Sequence, residues 1–307
     1  MAAKPCLNPK NITSPKDIVG PMKPASFRYY APKTLDEAVA TLAEVAPDDG
    51  RVLAGGQSLV PIMAFRLARP AHLVDINGVT GLSHLRVTEK TLAIGACVRH
   101  AAFYKPVEQG PLGKLLTKVV AYIAHHPIRT RGTFCGSIAH ADPASEWCAV
   151  AAALDARMVV RSVRGQRSIA AQDYFAGLMT TTREDDELLT DVQLPVLPAD
   201  TRVGFCEFNR RAGDFALAMA VVTFRLRDGT ISEPRVAVGG AEARPRRLIE
   251  AEAQLVGRRL SPEVFANAAE AAAEAIDPLE DANTTADYRR DLVRTMTRRA
   301  LDNAQQS

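Results

Sequence analysis

Two short segments of the sequence combine glycine with hydroxyl-bearing residues, and they are the best candidates for chemistry. The first loop reads AGGQSL over residues 54–59, and the second loop reads TFCGS over residues 133–137. Glycine lets main-chain N–H groups approach an anion closely, and Ser58, Thr133 and Ser137 can donate hydrogen bonds to phosphate oxygens. Two such loops suit the pyrophosphate bridge of a dinucleotide, although two tight turns would show the same local pattern.

Other familiar chemical signatures are absent from the sequence. It contains no G-x-G-x-x-G after a strand, no G-x-x-x-x-G-K-[ST], no H-E-x-x-H and no G-x-S-x-G, so Rossmann, P-loop and hydrolytic functions are poorly supported. Its five cysteines are scattered and form no C-x-x-C pair. We therefore expect neither a disulfide framework nor an iron–sulfur or zinc site in this chain. The cysteines are Cys6, Cys97, Cys135, Cys148 and Cys206.

Composition limits the class of protein further. A chain of 307 residues with a net charge of +3 and 6% aromatic residues has room for two or three domains, and it lacks the strongly basic character typical of nucleic-acid binding. No apolar run reaches the length of about 18–20 residues that spans a bilayer, and the first residues lack the apolar stretch of a signal peptide. We expect a cytoplasmic protein without a membrane span.

The local patterns predict the elements that position the two loops. Residues 1–23 read as an N-terminal extension, and residues 27–76 as a β-α-β-like unit whose helix over 34–45 is capped by Thr34. The first loop then follows a short strand. Farther along, we predict a strand pair from about residue 82, a helical stretch over 111–124, a helix near 143–154, a strand pair over 156–169 and a strand over 188–195.

The last third of the chain has a different pattern. Strands near 203–209, 220–227 and 231–240 precede alanine-rich helices from about residue 248, which indicates an α+β domain over residues 201–307. Five arginines repeat at helical spacing near the end and predict one basic stripe, either a solvated face or a subunit contact. They are Arg289, Arg290, Arg294, Arg298 and Arg299.

Three stretches, taken in order, resemble one known family. They are AGGQSLVPIM at 54–63, IRTRGTFCGSIAHADPASE at 128–146 and FNRRAGDFALAMA at 208–220. Together they resemble the FAD-binding middle subunit of the molybdenum hydroxylases, the family of xanthine dehydrogenase and aerobic carbon monoxide dehydrogenase. The resemblance implies an α+β fold: a vanillyl-alcohol-oxidase (PCMH-type) FAD-binding domain of two α/β subdomains over 24–200, followed by a smaller C-terminal α+β domain over 201–307.

The resemblance also assigns FAD contacts. It places the first loop, with Arg51 before it, at one pyrophosphate site, and the second loop with its Ala141-Asp142 tail at another. Glu146 would accept hydrogen bonds from the ribose or adenosine end, with a surface carboxylate as the alternative. Ile123 and Leu189 would pack on or meet the cofactor, although plain core packing explains them equally well. The loop residues are Ala54, Gly55, Gly56, Gln57, Ser58, Leu59, Thr133, Phe134, Cys135, Gly136 and Ser137.

Three positions depart from the family pattern. Cys135 replaces a common glycine, so its thiol must point away from the phosphates or its backbone must suit a residue with a Cβ atom. Glu207 stands where many relatives have lysine. Phe215 stands where some have a tyrosine beside the flavin ring.

The function that the resemblance implies is electron transfer in an (αβγ)2 assembly. Molybdopterin would lie on a large partner and 2Fe-2S clusters on a small partner, and the FAD of this chain would pass electrons to NAD, oxygen or a quinone. The chain itself would then need no general acid or nucleophile. Two alternatives are a self-sufficient flavin oxidase or reductase of the same fold, and a scaffolding subunit that has lost its flavin.

Overall fold

The first α/β subdomain is a small parallel sheet covered by helices. The computed structural model describes residues 23–282 and 284–307, so the predicted extension lies outside the described residues except for its last residue. Parallel strands run in the order β1-β3-β2, and Val52 pairs with Val74. The elements are β1 (Arg28–Tyr30), α1 (Leu35–Val45), β2 (Gly50–Leu53), α2 (Leu59–Ala64) and β3 (His72–Asp75).

Helix α1 forms where the sequence predicts it. Thr34 and Glu37 make a reciprocal capping box, in which the Glu37 N–H donates to Thr34 Oγ1 at 3.2 Å and the Thr34 N–H donates to Glu37 Oε2 at 3.1 Å. Its apolar residues at helical spacing are buried against the sheet. The predicted β-α-β-like unit is confirmed, and the first loop lies directly after β2.

The second subdomain is built on a five-stranded antiparallel sheet with the order β4-β5-β10-β6-β7. The sheet brings β10 between β5 and β6, although about 90 residues separate β5 from β10 in the chain. The elements are β4 (Leu85–Val87), β5 (Thr91–Gly95), α3 (Pro111–Val120), α4 (His126–Arg129), α5 (Phe134–His140), α6 (Glu146–Ala153), β6 (Arg157–Ser162), β7 (Gly165–Ala170), α7 (Ala171–Tyr174), β8 (Phe175–Gly177), β9 (Thr180–Thr181) and β10 (Leu188–Pro195).

Helix α3 ends earlier than its apolar pattern predicts. It stops at Val120 rather than continuing to residue 124. The Arg129 guanidinium donates hydrogen bonds to the carbonyl oxygens of Ala121 at 2.7 Å, Ile123 at 2.5 Å and Ala124 at 3.0 Å. This side chain satisfies carbonyl groups that a continuing helix would use, so the chain turns away instead.

The C-terminal domain is an antiparallel sheet packed on both faces. Along β12, Met219 and Val221 point into the core shared with the second subdomain, whereas Ala220 and Val222 face the C-terminal helices. Both faces are therefore buried, and the α+β fold class predicted from the sequence is confirmed. The elements are β11 (Arg202–Phe208), β12 (Ala218–Arg227), β13 (Thr230–Gly239), β14 (Arg246–Arg247), α8 (Ile249–Leu255), α9 (Pro262–Ala275) and α10 (Ala286–Gln305).

The predicted basic stripe on α10 needs correction. Arg289 is only 5% exposed, and its guanidinium donates to the carbonyl oxygens of Leu217 at 3.1 Å and Gly240 at 2.6 Å. Arg294 forms an ion pair with Glu270 at 2.6 Å. Helical spacing alone could not show that Arg289 turns into the domain, because its partners come from the sheet. Across the described ranges, no helix is both long enough and apolar enough to cross a membrane.

Candidate functional site

A cleft of about 670 Å³ is lined by residues from both α/β subdomains. Its walls include the first and second loops, the strand that leads into the first loop, and residues 179–189 before and within β10. Twelve of the predicted site residues line it. They are Arg51, Ala54, Gly55, Gly56, Gln57, Ser58, Leu59, Thr133, Cys135, Gly136, Ser137 and Leu189.

The two loops touch each other at Gly55. A Cβ atom added there would lie 2.5 Å from the Arg131 carbonyl oxygen and 2.6 Å from Gly132 Cα, both main-chain atoms. Only glycine permits this approach. Gly56, with φ of +72°, turns the chain immediately afterwards. The tertiary structure thus joins two segments that are far apart in sequence.

The first loop presents main-chain N–H groups without a main-chain acceptor among the described residues. Within residues 23–282 and 284–307, the N–H groups of Gly56, Gln57 and Ser58 donate no main-chain hydrogen bond. Unpaired donors of this kind, next to glycine, suit the oxygens of a bound phosphate. The Gln57 side chain is turned back, because its Nε2 donates to the Gly55 carbonyl oxygen at 3.1 Å.

Residues 134–137 of the second loop form the start of α5 (Phe134–His140), and Thr133 is the N-cap of that helix. Thr133 Oγ1 accepts a hydrogen bond from the Gly136 N–H at 3.0 Å, which fixes the first turn of the helix. The threonine hydroxyl proton remains for a ligand. Because this loop abuts the first at Gly55, both loops line one cleft. The cleft residues fit the pyrophosphate of a dinucleotide.

Cys135 is accommodated because its side chain points into the core. Sγ donates to the Ile94 carbonyl oxygen at 3.3 Å, and the residue is 2% exposed. Burial raises the pKa of the thiol well above its usual range. Its φ angle does not lie in the left-handed region, so the Cβ atom causes no backbone strain. The departure from glycine leaves the phosphate side of the loop free.

The remaining predicted site residues lie outside the wall of this cleft. Ile123 and Phe134 are buried in the core, and the Phe134 ring lies 4.7 Å from that of Trp147. Phe215, between β11 and β12, is 73% exposed and lines a separate cavity of about 400 Å³. Their cofactor contacts, like those of Ala141 and Asp142, stay predictions.

Glu146 is a buried residue and not a surface carboxylate. It is 8% exposed at the start of α6, and burial, strengthened by the negative charge of Asp142, raises its pKa to about 7. Burial raises the pKa of Glu207 to about 8, and the neighbouring Glu146 charge adds to this rise. Asn209 opposes it by donating to Glu207 Oε1 at 3.0 Å. The charge of Glu146 thus disfavours ionisation of Glu207.

Sequence reasoning missed a group of charged residues in the cleft. Arg69 lines the cleft from the segment before β3, and Arg183 and Glu187 line it from the segment before β10. No motif marks them. Arg183 and Glu187 reach the cleft because antiparallel pairing brings the start of β10 beside β6, whereas Arg69 reaches it from the parallel sheet, just before β3. Only the tertiary structure could have identified them.

A cleft between two α/β subdomains, walled by two facing glycine loops, is typical of a dinucleotide-binding protein. Residues 25–197 match the family model described as FAD binding domain in molybdopterin dehydrogenase, and residues 204–304 match the CO dehydrogenase flavoprotein C-terminal domain. The chain belongs to the FAD-binding medium subunits of the molybdenum hydroxylases, a family of oxidoreductases.

Individual relatives agree over almost the whole chain. The nicotine 6-hydroxylase medium subunit of Paenarthrobacter nicotinovorans is 40% identical, over 91% of this chain and 98% of that protein. The caffeine dehydrogenase subunit beta of Pseudomonas sp. strain CBB1 is 38% identical, over 92% and 96%. A chain of carbon monoxide dehydrogenase from Hydrogenophaga pseudoflava, in a form lacking the Mo-pyranopterin moiety, superposes with a TM-score of 0.88 at 35% identity, over 92% and 98%. The family resemblance and the FAD-binding domain are confirmed.

Proposed function

We propose that this chain is the electron-transfer subunit of a molybdenum hydroxylase. Its bound FAD would take electrons from a partner's 2Fe-2S clusters and pass them to an external acceptor. The observation that carries the proposal is the meeting of the two glycine loops in one cleft, where N–H groups of the first loop have no main-chain acceptor within the part of the chain that the structure describes. Bound flavin supplies the redox chemistry by accepting and donating electrons. The chain's own residues bind and orient it.

The cleft suggests a division of labour along the cofactor. We assign the pyrophosphate to the first and second loops, which line the cleft and where glycine allows close approach. Arg51 lies on the cleft wall beside the first loop, where its guanidinium pairs with Asp49, another residue of the wall, at 2.9 Å. Leu189, which is 4% exposed within β10, offers main-chain and apolar contact farther along the same cleft. Glu146 remains our candidate for the ribose or adenosine end.

The proposal places the other redox centres on other chains. Among the residues that the structure describes, no group of three or more His, Cys, Asp and Glu side chains is arranged to hold a metal ion. We therefore assign molybdopterin to a large partner and 2Fe-2S clusters to a small partner, in an (αβγ)2 assembly in the cytoplasm. Relatives named as a medium subunit and a medium chain support a complex of several different subunits. NAD, oxygen and quinones are the candidate acceptors.

Flavin titration of the purified full-length chain tests the first part of this proposal. We expect uptake of about one FAD per chain, with the absorbance bands of bound flavin. The electron-transfer role is tested by reducing the loaded chain chemically and adding each acceptor in turn. Reoxidation by one acceptor supports the role. A chain that takes up no FAD would refute the proposed function. Turnover of an organic substrate without partner chains would instead favour a self-sufficient flavin oxidase.

A further inference from the structure

Two polar side chains connect the first loop to the segment that leads into the second. Asn77 Nδ2 donates to the Ala54 carbonyl oxygen at 2.7 Å, and Asn77 Oδ1 accepts from Arg99 Nη2 at 2.6 Å. The other end of the same guanidinium, Nη1, donates to the Arg131 carbonyl oxygen. Asn77 and Arg99, which we call the clamp, therefore form a continuous hydrogen-bonded connection between the two loops.

Asp75 holds the clamp in one orientation. Its Oδ1 accepts from the main-chain N–H of Asn77 at 2.9 Å and from Asn77 Nδ2 at 2.6 Å, while Tyr29 donates its hydroxyl to Oδ2. Burial opposes ionisation of Asp75, but these hydrogen bonds and the nearby Arg99 charge outweigh it and lower the pKa of the carboxyl group. The ionised carboxylate thereby fixes the Asn77 side chain.

The clamp and Gly55 restrict the loop spacing in opposite directions. At Gly55 the loops are already so close that a Cβ atom would lie 2.5 Å from the Arg131 carbonyl oxygen, so they cannot approach further. The clamp bonds that same Arg131 oxygen and the neighbouring Ala54 oxygen, so separation of the loops would strain or break these hydrogen bonds. Steric contact sets the lower limit of the spacing and hydrogen bonding sets the upper limit.

We propose that Asn77 and Arg99 are positioning residues that set the spacing of the two loops for the pyrophosphate of FAD. The inference rests on the proposed function. A pyrophosphate needs donors from both loops at one fixed separation, whereas a single phosphate can be satisfied by one loop. Loss of the clamp should therefore weaken binding of FAD more than binding of FMN. An effect on general stability alone would not change that ratio.

The test uses the full-length chain freed of flavin, with FAD and FMN affinities measured by fluorescence titration. Arg99→Met removes the donors Nη1 and Nη2 but keeps a long side chain. Asn77→Leu removes the Nδ2 donor to Ala54 and the Oδ1 acceptor for Arg99. We expect each variant to bind FAD about 10- to 100-fold more weakly, because a shift of about 1 Å in a binding group has effects of this size. FMN affinity should change by less than about threefold.

Control and conservative variants keep the test informative. Arg227→Met removes an exposed arginine of the C-terminal domain, whose ion pair with Glu233 measures 2.6 Å, and should leave both affinities unchanged. Arg99→Lys retains the charge but cannot bridge two acceptors, so FAD affinity should stay below that of the unmodified chain. Arg99→Lys also replaces Arg99→Met as the test variant if Arg99→Met does not fold.

The outcomes separate the two proposals. If the unmodified chain binds no FAD, the proposed function and the clamp both fail. If it binds FAD but the clamp variants bind FAD normally, or lose FAD and FMN to the same extent, only the clamp is overturned. A selective loss of FAD affinity supports it.

Discussion

Substitution of Gly55 by alanine tests directly whether the contact between the two loops matters for FAD. The added Cβ atom would lie 2.5 Å from the Arg131 carbonyl oxygen, 2.6 Å from Gly132 Cα and 3.0 Å from the Thr133 nitrogen. All three are main-chain atoms, so no side-chain rotation relieves the overlap. The second loop must move away from the first.

The size of the effect follows from the distance that must be gained. Ordinary van der Waals contact begins near 3.4 Å, so the loops must separate by about 1 Å. A misplacement of about 1 Å can weaken a positioned interaction about 100-fold. We therefore expect Gly55→Ala to raise the Kd for FAD about 100-fold, which corresponds to about 3 kcal/mol. Overpacking should also lower the free energy of unfolding by about 1–3 kcal/mol.

The assay is fluorescence titration of the flavin-free chain with FAD, combined with thermal unfolding without ligand. Gly177→Ala is the matched control, because a Cβ atom at Gly177 meets nothing within 4 Å and its φ angle is not in the left-handed region. The control should bind FAD like the unmodified chain. Unchanged FAD affinity in a folded Gly55→Ala variant would refute the view that the contact fixes the cleft.

Three further predictions concern individual side chains. Because burial raises the pKa of Glu207 to about 8, the folded chain holds this proton more tightly than the unfolded chain, and the contribution to stability is lost as pH rises through that value. Glu207→Gln should therefore lessen the fall in Tm between pH 6 and pH 9. A parallel fall in Tm in both proteins would count against this prediction. Arg289→Met should lower the free energy of unfolding in urea by about 3 kcal/mol, because it leaves buried carbonyl groups unpaired. The half-exposed Arg290→Met should cost less than about 0.5 kcal/mol, and equal losses would contradict the buried role of Arg289. Cys135→Ala should bind FAD with unchanged affinity, and the native thiol should resist a thiol reagent, since its sulfur bonds the Ile94 carbonyl oxygen; rapid modification would show that it faces the cleft.

Local sequence patterns predicted much of the secondary structure, because local chemistry produces it. The Thr34 cap with Glu37 three residues later specifies the start of α1, and a run of mostly apolar residues favours strand β12 of the C-terminal sheet. The prediction was less successful where a distant side chain intervened. Helix α3 stops at Val120 because Arg129 bonds the carbonyl groups that follow. Arg289 leaves the predicted stripe because its guanidinium turns inward to bond the carbonyl oxygens of Leu217 and Gly240.

The sequence by itself determined the two glycine loops and the family they indicate, because the hydrogen-bonding capacity of glycine, serine and threonine is a local property. Only the tertiary structure decided how the loops act together. Contact at Gly55, the Asn77–Arg99 connection and the paired burial of Glu146 and Glu207 each join residues far apart in the chain. Distances and desolvation arise from packing, and packing depends on which strands pair. No local pattern contains that information.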